Sequence, residues 1–362
     1  MQTQLKTSLF IGVATLTCLC TVSIWKEKAV LYPTPSSPAL GYKTINAEAT
    51  FPVTDTLQKN TATILVFGDM MLDRNVRKNI LTHDETYPFE PLKQFLIGSD
   101  IVVANAEGVF TYFPSETLDV LDAPLKFTFD PAILPRLKQL GFTLFSEANN
   151  HALNFGREGL NESETNITLA GLNYFGDPSN KDTHPYTATV KGQKIAFIGY
   201  NQFTDIGLNV VLNDIRTAKN NGAFIIIYPH WGDEYSATAC QTQIDAAHYF
   251  IDAGADAVLG NHSHVIEQIE IYKGKAIFYS LGNFIFDQNF SVATSEGLSV
   301  RILVAPTTAT YYIFPLEIKH AQASLMSYQK SSETLDNLSR LSTTPENIKS
   351  DIRKGVFSLE RD

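Results

Sequence analysis

Cysteine is scarce in this chain: Cys18 and Cys20 lie close together near the N-terminus and Cys240 stands alone. A disulfide-stapled module needs an even, spaced set, so that class is excluded. Basic charge is in deficit, with 28 Lys and Arg against 38 Asp and Glu for a formal net charge of −10, and no basic cluster interrupts the pattern. Binding through phosphate neutralisation loses its driving force, and no nucleic-acid partner is expected. Glycine, at 21 of 362 residues, is too rare for a collagen repeat, and neither heptads nor an internal repeat are visible. Long apolar runs are missing except for one, which excludes a multi-span membrane protein. What is present is a globular composition, 44% hydrophobic and 18% charged, apolar enough to bury a core. The length allows one large domain or two ordinary ones.

The one long uncharged run is Thr7 to Trp25, bracketed by Lys6 and Lys26. As a helix it would reach about 28 Å, close to the thickness of a bilayer's hydrocarbon core. No small-residue cleavage site precedes Lys26, and Thr17 is a poor neighbour for a lipid-modified Cys18. This favours an uncleaved signal anchor over a cleaved signal, with a buried soluble helix third. The expected organisation is a membrane anchor or signal segment at 1–28 and a proline-rich tether at 29–61, carrying Pro33, Pro35, Pro38 and Pro52. The main domain is expected at 62–322 and a polar, peripheral helical tail at 323–362. The expected location is the cell membrane, with the domain facing outside.

In the main domain, short apolar runs alternate with amphipathic stretches. Thr63–Phe67, Ile101–Ala104, Thr143–Phe145, Ile195–Ile198, Phe224–Tyr228 and Ala257–Leu259 read as buried strands. Helical patterns fall at Pro131–Leu140, Glu158–Ala170, Leu208–Asn220 and Gln241–Ala253. Lys191-Gly192 and Lys273-Gly274 read as hairpin turns, and Leu298–Lys319 as strand. The alternation implies parallel strands with crossover helices, and with the hairpins it suggests an α/β sandwich of two mixed sheets.

In such folds ligands gather at the carboxyl ends of strands. Here those ends run into Gly68-Asp69, Asn105-Ala106-Glu107, Asn149-Asn150-His151, Pro229-His230-Trp231 and Asn261-His262-Ser263-His264. Four of the eight histidines are among them. A lone strand-end histidine is more often structural, but chemical side chains at five successive ends are hard to explain that way. Imidazole with carboxylate suits Mn, Fe or Zn rather than Ca. In extended backbone His262 and His264 would point to one side and share a centre, and Asp69 or Glu107 could bridge two ions.

The segments GDMMLDR (68–74), NAEG (105–108), KFTF (126–129), EANNHALNFG (147–156), PHWGDEY (229–235) and GADAVLGNHSHVIEQIEIYKGKAIFYSLGNFIFDQ (254–288) resemble the CapA family of capsule-synthesis proteins. That family is associated with poly-γ-glutamate capsules, and its domain is similar to a calcineurin-like metallophosphoesterase. Over about residues 62–305 the resemblance implies a four-layer αββα sandwich and outward-facing membrane attachment. It also implies one or two divalent ions held by Asp69, Glu107, Asn150, His230, His262 and His264. His151 would be the acid near the leaving group, which with Asp69 makes the candidate catalytic pair. The chain departs from the pattern at Met71, where a metallophosphoesterase has a histidine ligand. It departs again at Asn154, where CapA-like sequences commonly carry Asp, and at Asn261 and Ser263 around the final histidine pair.

Arg74, Lys126 and Trp231 are candidate substrate-binding residues. Surface solvation competes for Arg74, and core packing for Trp231 and for its neighbour Tyr235. Asp287 is a candidate partner for a ligating histidine. Two functions follow from these expectations. One is a metal-dependent hydrolase acting on a phosphoester or γ-amide bond in capsule assembly. The other is a non-catalytic component that binds the anionic capsule polymer, its precursor or a membrane polymer synthase. A generic metallophosphodiesterase is the third and most distant.

Overall fold

The structure is a computed structural model that describes residues 59–118, 120, 125–204 and 207–361. The expected anchor at 1–28 and the tether at 29–61, save residues 59–61, lie outside the described residues. In chain order the first half contains β1 (Ala62–Met70), α1 (Arg74–Thr82), α2 (Lys93–Leu96), β2 (Ile101–Ala106), β3 (Val109–Phe110), β4 (Thr128–Phe129), α3 (Leu134–Leu140), β5 (Leu144–Ser146), α4 (Gly156–Leu169) and β6 (Asn173–Phe175). There follow β7 (Tyr186–Val190), β8 (Gln193–Asn201), α5 (Asn209–Asn220), β9 (Phe224–His230), α6 (Gln241–Ala253), β10 (Ala257–Leu259), β11 (Ile269–Tyr272), β12 (Lys275–Phe278) and β13 (Asn283–Ile285). The chain closes with β14 (Glu296–Val304), β15 (Thr308–Lys319), β16 (Gln322–Leu325), α7 (Tyr328–Leu341), α8 (Glu346–Arg353) and β17 (Val356–Glu360).

The fold is mixed α/β. One sheet runs β16-β15-β14-β1-β2-β5-β6, with β13 paired to β1 and β17 to β15; the second runs β11-β12-β10-β9-β8-β7. β1, β2, β5 and β6 are mutually parallel, as are β8, β9, β10 and β12. Parallel strands buried on both faces need apolar residues at successive positions, and β1 shows why. Ile64 and Val66 point into a core shared with Phe197, Ile226, Leu259 and Phe278 of the second sheet. Leu65 and Phe67 point the other way, against Phe89, Leu96 and Leu137. The second sheet likewise turns Ile198, Ile225 and Ile227 toward Val211 and Ile215 of α5 and Phe250 of α6.

The two hairpins form where expected: β7 pairs β8 across Lys191-Gly192, and β11 pairs β12 across Lys273-Gly274. All four turn residues have positive φ, as a type I′ turn demands. The helix Arg74–Thr82 was not among the expected helices, although Val76 and Ile80 lie one turn apart on it. It is started by Asp73, whose carboxylate accepts from the Arg74 backbone N–H at 2.9 Å.

Residues 323–362 correct the expected peripheral tail. They are largely helical, but β17 pairs antiparallel with β15, and Leu335, Leu338, Ile348, Ile352 and Phe357 lie in the core between the sheets. The polar composition reflects the exposed faces of two amphipathic helices, which turn Leu335, Leu338, Ile348 and Ile352 inward while Tyr328 and Leu341 stay exposed. The Phe357 ring stacks on Tyr311 at 5.0 Å and on Phe278 at 6.2 Å. Phe357→Ala is therefore expected to cost about 3–5 kcal/mol in urea unfolding; a peripheral residue would cost under about 0.5 kcal/mol.

Candidate metal centre

The parallel strands of both sheets deliver their carboxyl ends to one place, and the backbones are tied together there. The Tyr228 hydroxyl of β9 donates to the Phe67 carbonyl of β1. Register aligns Asp69 of β1 with Asn105 of β2 on one side and Asn283 of β13 on the other. Gly68 is needed at this crossing, because a Cβ there would stand 1.9 Å from the Gly282 carbonyl oxygen.

Asp69 is fully buried. Its Oδ1 accepts from Asn105 Nδ2 at 2.8 Å and its Oδ2 from the His262 backbone N–H at 3.0 Å. His264 Nδ1 lies 3.4 Å from Oδ2 and His230 Nδ1 3.9 Å from Oδ1. Burial alone would raise the Asp69 pKa. The hydrogen bond and charge of His264, the charge of His230 and the Asn105 bond outweigh it and hold the carboxyl well below the usual carboxylate range.

Glu107 follows β2 and is also buried, with Oε1 3.7 Å from His151 Nε2 and 3.6 Å from His264 Nε2. Burial pushes its carboxyl well above the usual range, opposed by His264 and reinforced by Asp69 and Glu234. His264 itself is pushed up to about 9: burial works against the charge, but Glu107 and Asp69 more than compensate. Its Nδ1 lies 3.0 Å from Asn283 Oδ1, leaving Nε2 toward Glu107.

A second group of donors converges beside the first. Asn150 Oδ1 lies 2.8 Å from His230 Nε2, and His262 Nδ1 lies 3.1 Å from the same nitrogen. Burial and then the neighbouring His262 charge hold His230 well below its ordinary range, while burial and then His264 bring His262 down to about 4. Both rings are thus neutral at pH 7, the form in which imidazole binds a metal.

The histidine pair departs from its expected geometry. His262 and His264 do not sit in extended backbone; their φ values are +91° and +58°, and their ring centroids are 6.0 Å apart. Two left-handed residues, rather than strand alternation, aim both rings inward, and such strain collects at functional sites. The bond from the His262 N–H to Asp69 helps hold it.

His151 stands at the edge of the cluster. Its Nδ1 is 3.1 Å from the Leu125 carbonyl and 3.0 Å from Asn154 Oδ1, which leaves Nε2 facing Glu107. Burial lowers its pKa, and the Asn154 bond only partly restores it. Asn154 accepts from the Phe127 N–H as well, so it orients the imidazole as Asp would without adding charge.

The remaining candidates divide. Arg74 pairs with Asp287 at 3.1 Å, and its guanidinium lies 6.0 Å from the Phe127 ring that packs against His151. Asp287 is therefore taken by Arg74 and the Asn75 N–H, not by a ligating histidine. Lys126 turns to Glu116 at 3.4 Å and lies over the Phe155 ring. Trp231 corrects the expected pocket wall: it is fully buried behind the second sheet, its Nε1 donates to the Tyr279 carbonyl at 2.8 Å, and it packs on Phe250. Its neighbour Tyr235, half exposed, has its ring 6.1 Å from His264. Met71 is buried in the outer core, its sulfur accepting from the Asp73 N–H at 3.1 Å.

The residues missed from sequence are asparagines. Asn105 holds both Asp69 and the His230 ring, Asn149 bonds Asn105 Oδ1 at 3.1 Å and the Ala106 carbonyl at 2.8 Å, and Asn283 holds His264. Asn105 carried a signal, an amide near the end of the otherwise apolar β2, whereas Asn149 lies beyond β5 and Asn283 opens β13.

A divalent ion fits this arrangement. Asp69, Glu107 and His230 each offer a ligand atom within 4.8 Å of the others. Glu107 Oε2 is buried with no hydrogen-bond partner among the described residues, an orphan that costs about 1–3 kcal/mol unless something cationic meets it. Carboxylate, imidazole and amide oxygen together suit Mn, Fe or Zn.

The chain is similar to named capsule proteins. It is 29% identical to the capsule biosynthesis protein CapA of Bacillus anthracis over 277 residues, 71% of this chain and 67% of that one. It is 28% identical to the PGA biosynthesis protein CapA of Bacillus subtilis over 294 residues, 76% of each chain. A probable polyglutamine synthesis accessory protein of Mycobacterium tuberculosis is 25% identical over 241 residues, covering 58% of this chain and 63% of that one. Residues 63–288 match the family described as bacterial capsule synthesis protein PGA_cap, a span that holds every member of the cluster; the chain belongs to that family.

Proposed function

We propose that this protein serves capsule or poly-γ-glutamate assembly outside the cell membrane and that its strand-end cluster is a metal-dependent hydrolase site. The observation that carries the reading is the convergence of Asp69, Glu107 and His230 within 4.8 Å around an unpartnered, buried carboxylate oxygen. Three apolar clusters, one between the sheets and one outside each, support a four-layer αββα sandwich around it. Asp69, Glu107 and His230, with Asn150, His262 and His264 beside them, would hold one or two such ions.

When bound, such ions polarise a phosphoryl or carbonyl oxygen and lower the pKa of water. The protein's own residues do the rest. Asn105 and Asn283 hold Asp69 and His264 in orientation. His151, with Nδ1 engaged by Leu125 and Asn154, keeps Nε2 free at the cluster's edge, where a proton carried there would pass to the leaving group. Arg74, partly exposed beside Phe127, is placed to meet an anionic substrate group; Lys126, at the rim with Glu116, would do so only by leaving that partner.

Among the described residues no helix is long and apolar enough to cross a membrane, so attachment rests on the uncharged run at Thr7–Trp25. Met71, turned into the core, favours a second reading in which the domain binds the anionic polymer or a membrane synthase without cleaving it.

The test is metal content of the purified full chain beside a His262→Ala/His264→Ala variant, followed by hydrolysis assays on phosphodiester and γ-glutamyl substrates. One to two equivalents of Mn, Fe or Zn, lost in the variant, with metal-dependent turnover of either bond, is expected. A wild-type chain that takes up no divalent ion sinks the proposal, and metal without turnover favours the binding role.

A further inference from the structure

The loops around the strand-end cluster are tied to it and present apolar side chains to solvent. Phe203, just after β8, lays its ring 4.2 Å from His262. Its N–H is fixed to Asn201 Oδ1 at 3.1 Å, and the Gln202 N–H before it donates to the His230 carbonyl at 3.0 Å. Beside the other histidine of the pair, the Tyr235 N–H donates to the Ser263 carbonyl at 2.7 Å. The Tyr235 ring stands 6.1 Å from His264 and 5.2 Å from Phe290, which Val292 follows by two residues. The Leu125 carbonyl lies 3.1 Å from His151 Nδ1, and Leu153 follows that histidine by two residues. These six side chains are between 38% and 72% exposed. Single exposed apolar side chains are ordinary, but a rim of them drawn from five loops around one centre marks a contact surface.

The chemistry of the rim selects its occupant. A long polyanion calls for a run of cations, whereas Arg74 and Lys126 each face an acid already, Asp287 and Glu116. A bilayer suits what is present: Phe, Leu and Val favour the acyl boundary and Tyr the headgroup level. Chain length permits the contact. β1 starts at Ala62 and reaches the cluster at Met70, about 30 Å away. Residues 26–58, between the uncharged run and the described chain, can span at most roughly 110 Å. An anchor at Thr7–Trp25 therefore leaves the rim able to turn toward the membrane.

We propose that this apolar rim docks on a lipid bilayer, so that the metal centre opens at the level of the headgroups. The inference rests on the membrane attachment in the reading above and not on hydrolysis.

Environment-sensitive NBD labels attached through Leu153→Cys and Phe290→Cys test it, in a full chain that also carries Cys18→Ser, Cys20→Ser and Cys240→Ser. Leu169→Cys is the control. Leu169 is 80% exposed and ends α4, about 20 Å from the start of that helix at Gly156. In vesicles of phosphatidylethanolamine and phosphatidylglycerol, the labels at 153 and 290 are expected to shift to the blue and to lose emission to a lipid-borne spin-label quencher. The label at 169 is expected to keep its aqueous spectrum. Flotation with the vesicles, and a wild-type melting temperature in detergent, show that each labelled chain is attached and folded. Labels at 153 and 290 that match the one at 169 on a floating chain overturn the docking and leave the attachment standing. Shielding that arises in native membranes but not in pure lipid also overturns it and assigns the rim to a protein partner. A chain that does not float removes the attachment, and the docking with it.

Discussion

Asp69→Asn is expected to weaken divalent-ion binding by more than about 100-fold, because partners one step removed from a metal already cost 10–100-fold when lost. The substitution keeps the shape and removes the charge that His264 and His230 both face. It also disturbs the apo protein. Asp69 accepts on both oxygens, from Asn105 Nδ2 and from the His262 N–H. An amide accepts on one side only, so one buried donor is orphaned at a cost of about 1–3 kcal/mol. That cost falls on the left-handed turn at His262, whose φ of +91° the bond helps to hold. Calorimetric Mn²⁺ titration and a urea melt of the full chain measure the two effects. Wild-type affinity in the variant would remove Asp69 from the ligand set.

Glu147→Gln is expected to flatten the loss of stability that the wild type shows as pH rises. Glu147 is fully buried; its Oε1 accepts from the Ser163 hydroxyl at 2.6 Å, while Oε2 has no partner among the described residues. Burial, opposed by the Ser163 bond and helped by the Glu164 charge, pushes its pKa from 4.5 up to about 8. Below pH 4.5 both folded and unfolded chains carry the proton, and nothing is lost. Between 4.5 and about 8 the unfolded chain releases it and the folded chain keeps it, so stability falls with rising pH across that window and levels off above it. At about 1.4 kcal/mol per unit the drop is a few kcal/mol. Glu267, also pushed up to about 8 by burial against its Gln243 bond, adds to the slope in the same window. Glutamine at 147 can still accept from Ser163 and cannot ionise. Urea unfolding at pH 5, 6.5 and 8 should therefore show wild type and variant converging at low pH and separating at high pH. Parallel curves would mean that Glu147 does not hold its proton in the folded chain.

Neither effect was visible in the sequence, although both residues were. Glu147 opens the segment that carries Asn149, Asn150 and His151, and only the fold shows that helix α4 covers it and that Ser163 is its partner. Asp69 was marked by its place after an apolar run, but its bonds run to residues 36 and 193 positions away. Pairings at that separation are set by sheet order and register, which no local pattern encodes.

What the sequence by itself determined was the alternation of apolar strands and amphipathic helices and the polar residues waiting at strand ends. Those features are local consequences of side-chain periodicity and turn chemistry, and so were the Lys-Gly hairpins and the four helices between strands. The tertiary structure alone decided which strand ends meet, because convergence depends on how two sheets pack. It turned Trp231, the residue just after β9, into the core against Phe250, and Lys126 toward Glu116. It placed β17 inside the larger sheet, where a few inward residues outweigh a polar composition. It also replaced the extended geometry of His262 and His264 with two left-handed residues, a strained arrangement that persists because Asp69, Asn283 and Tyr235 hold this segment from three sides.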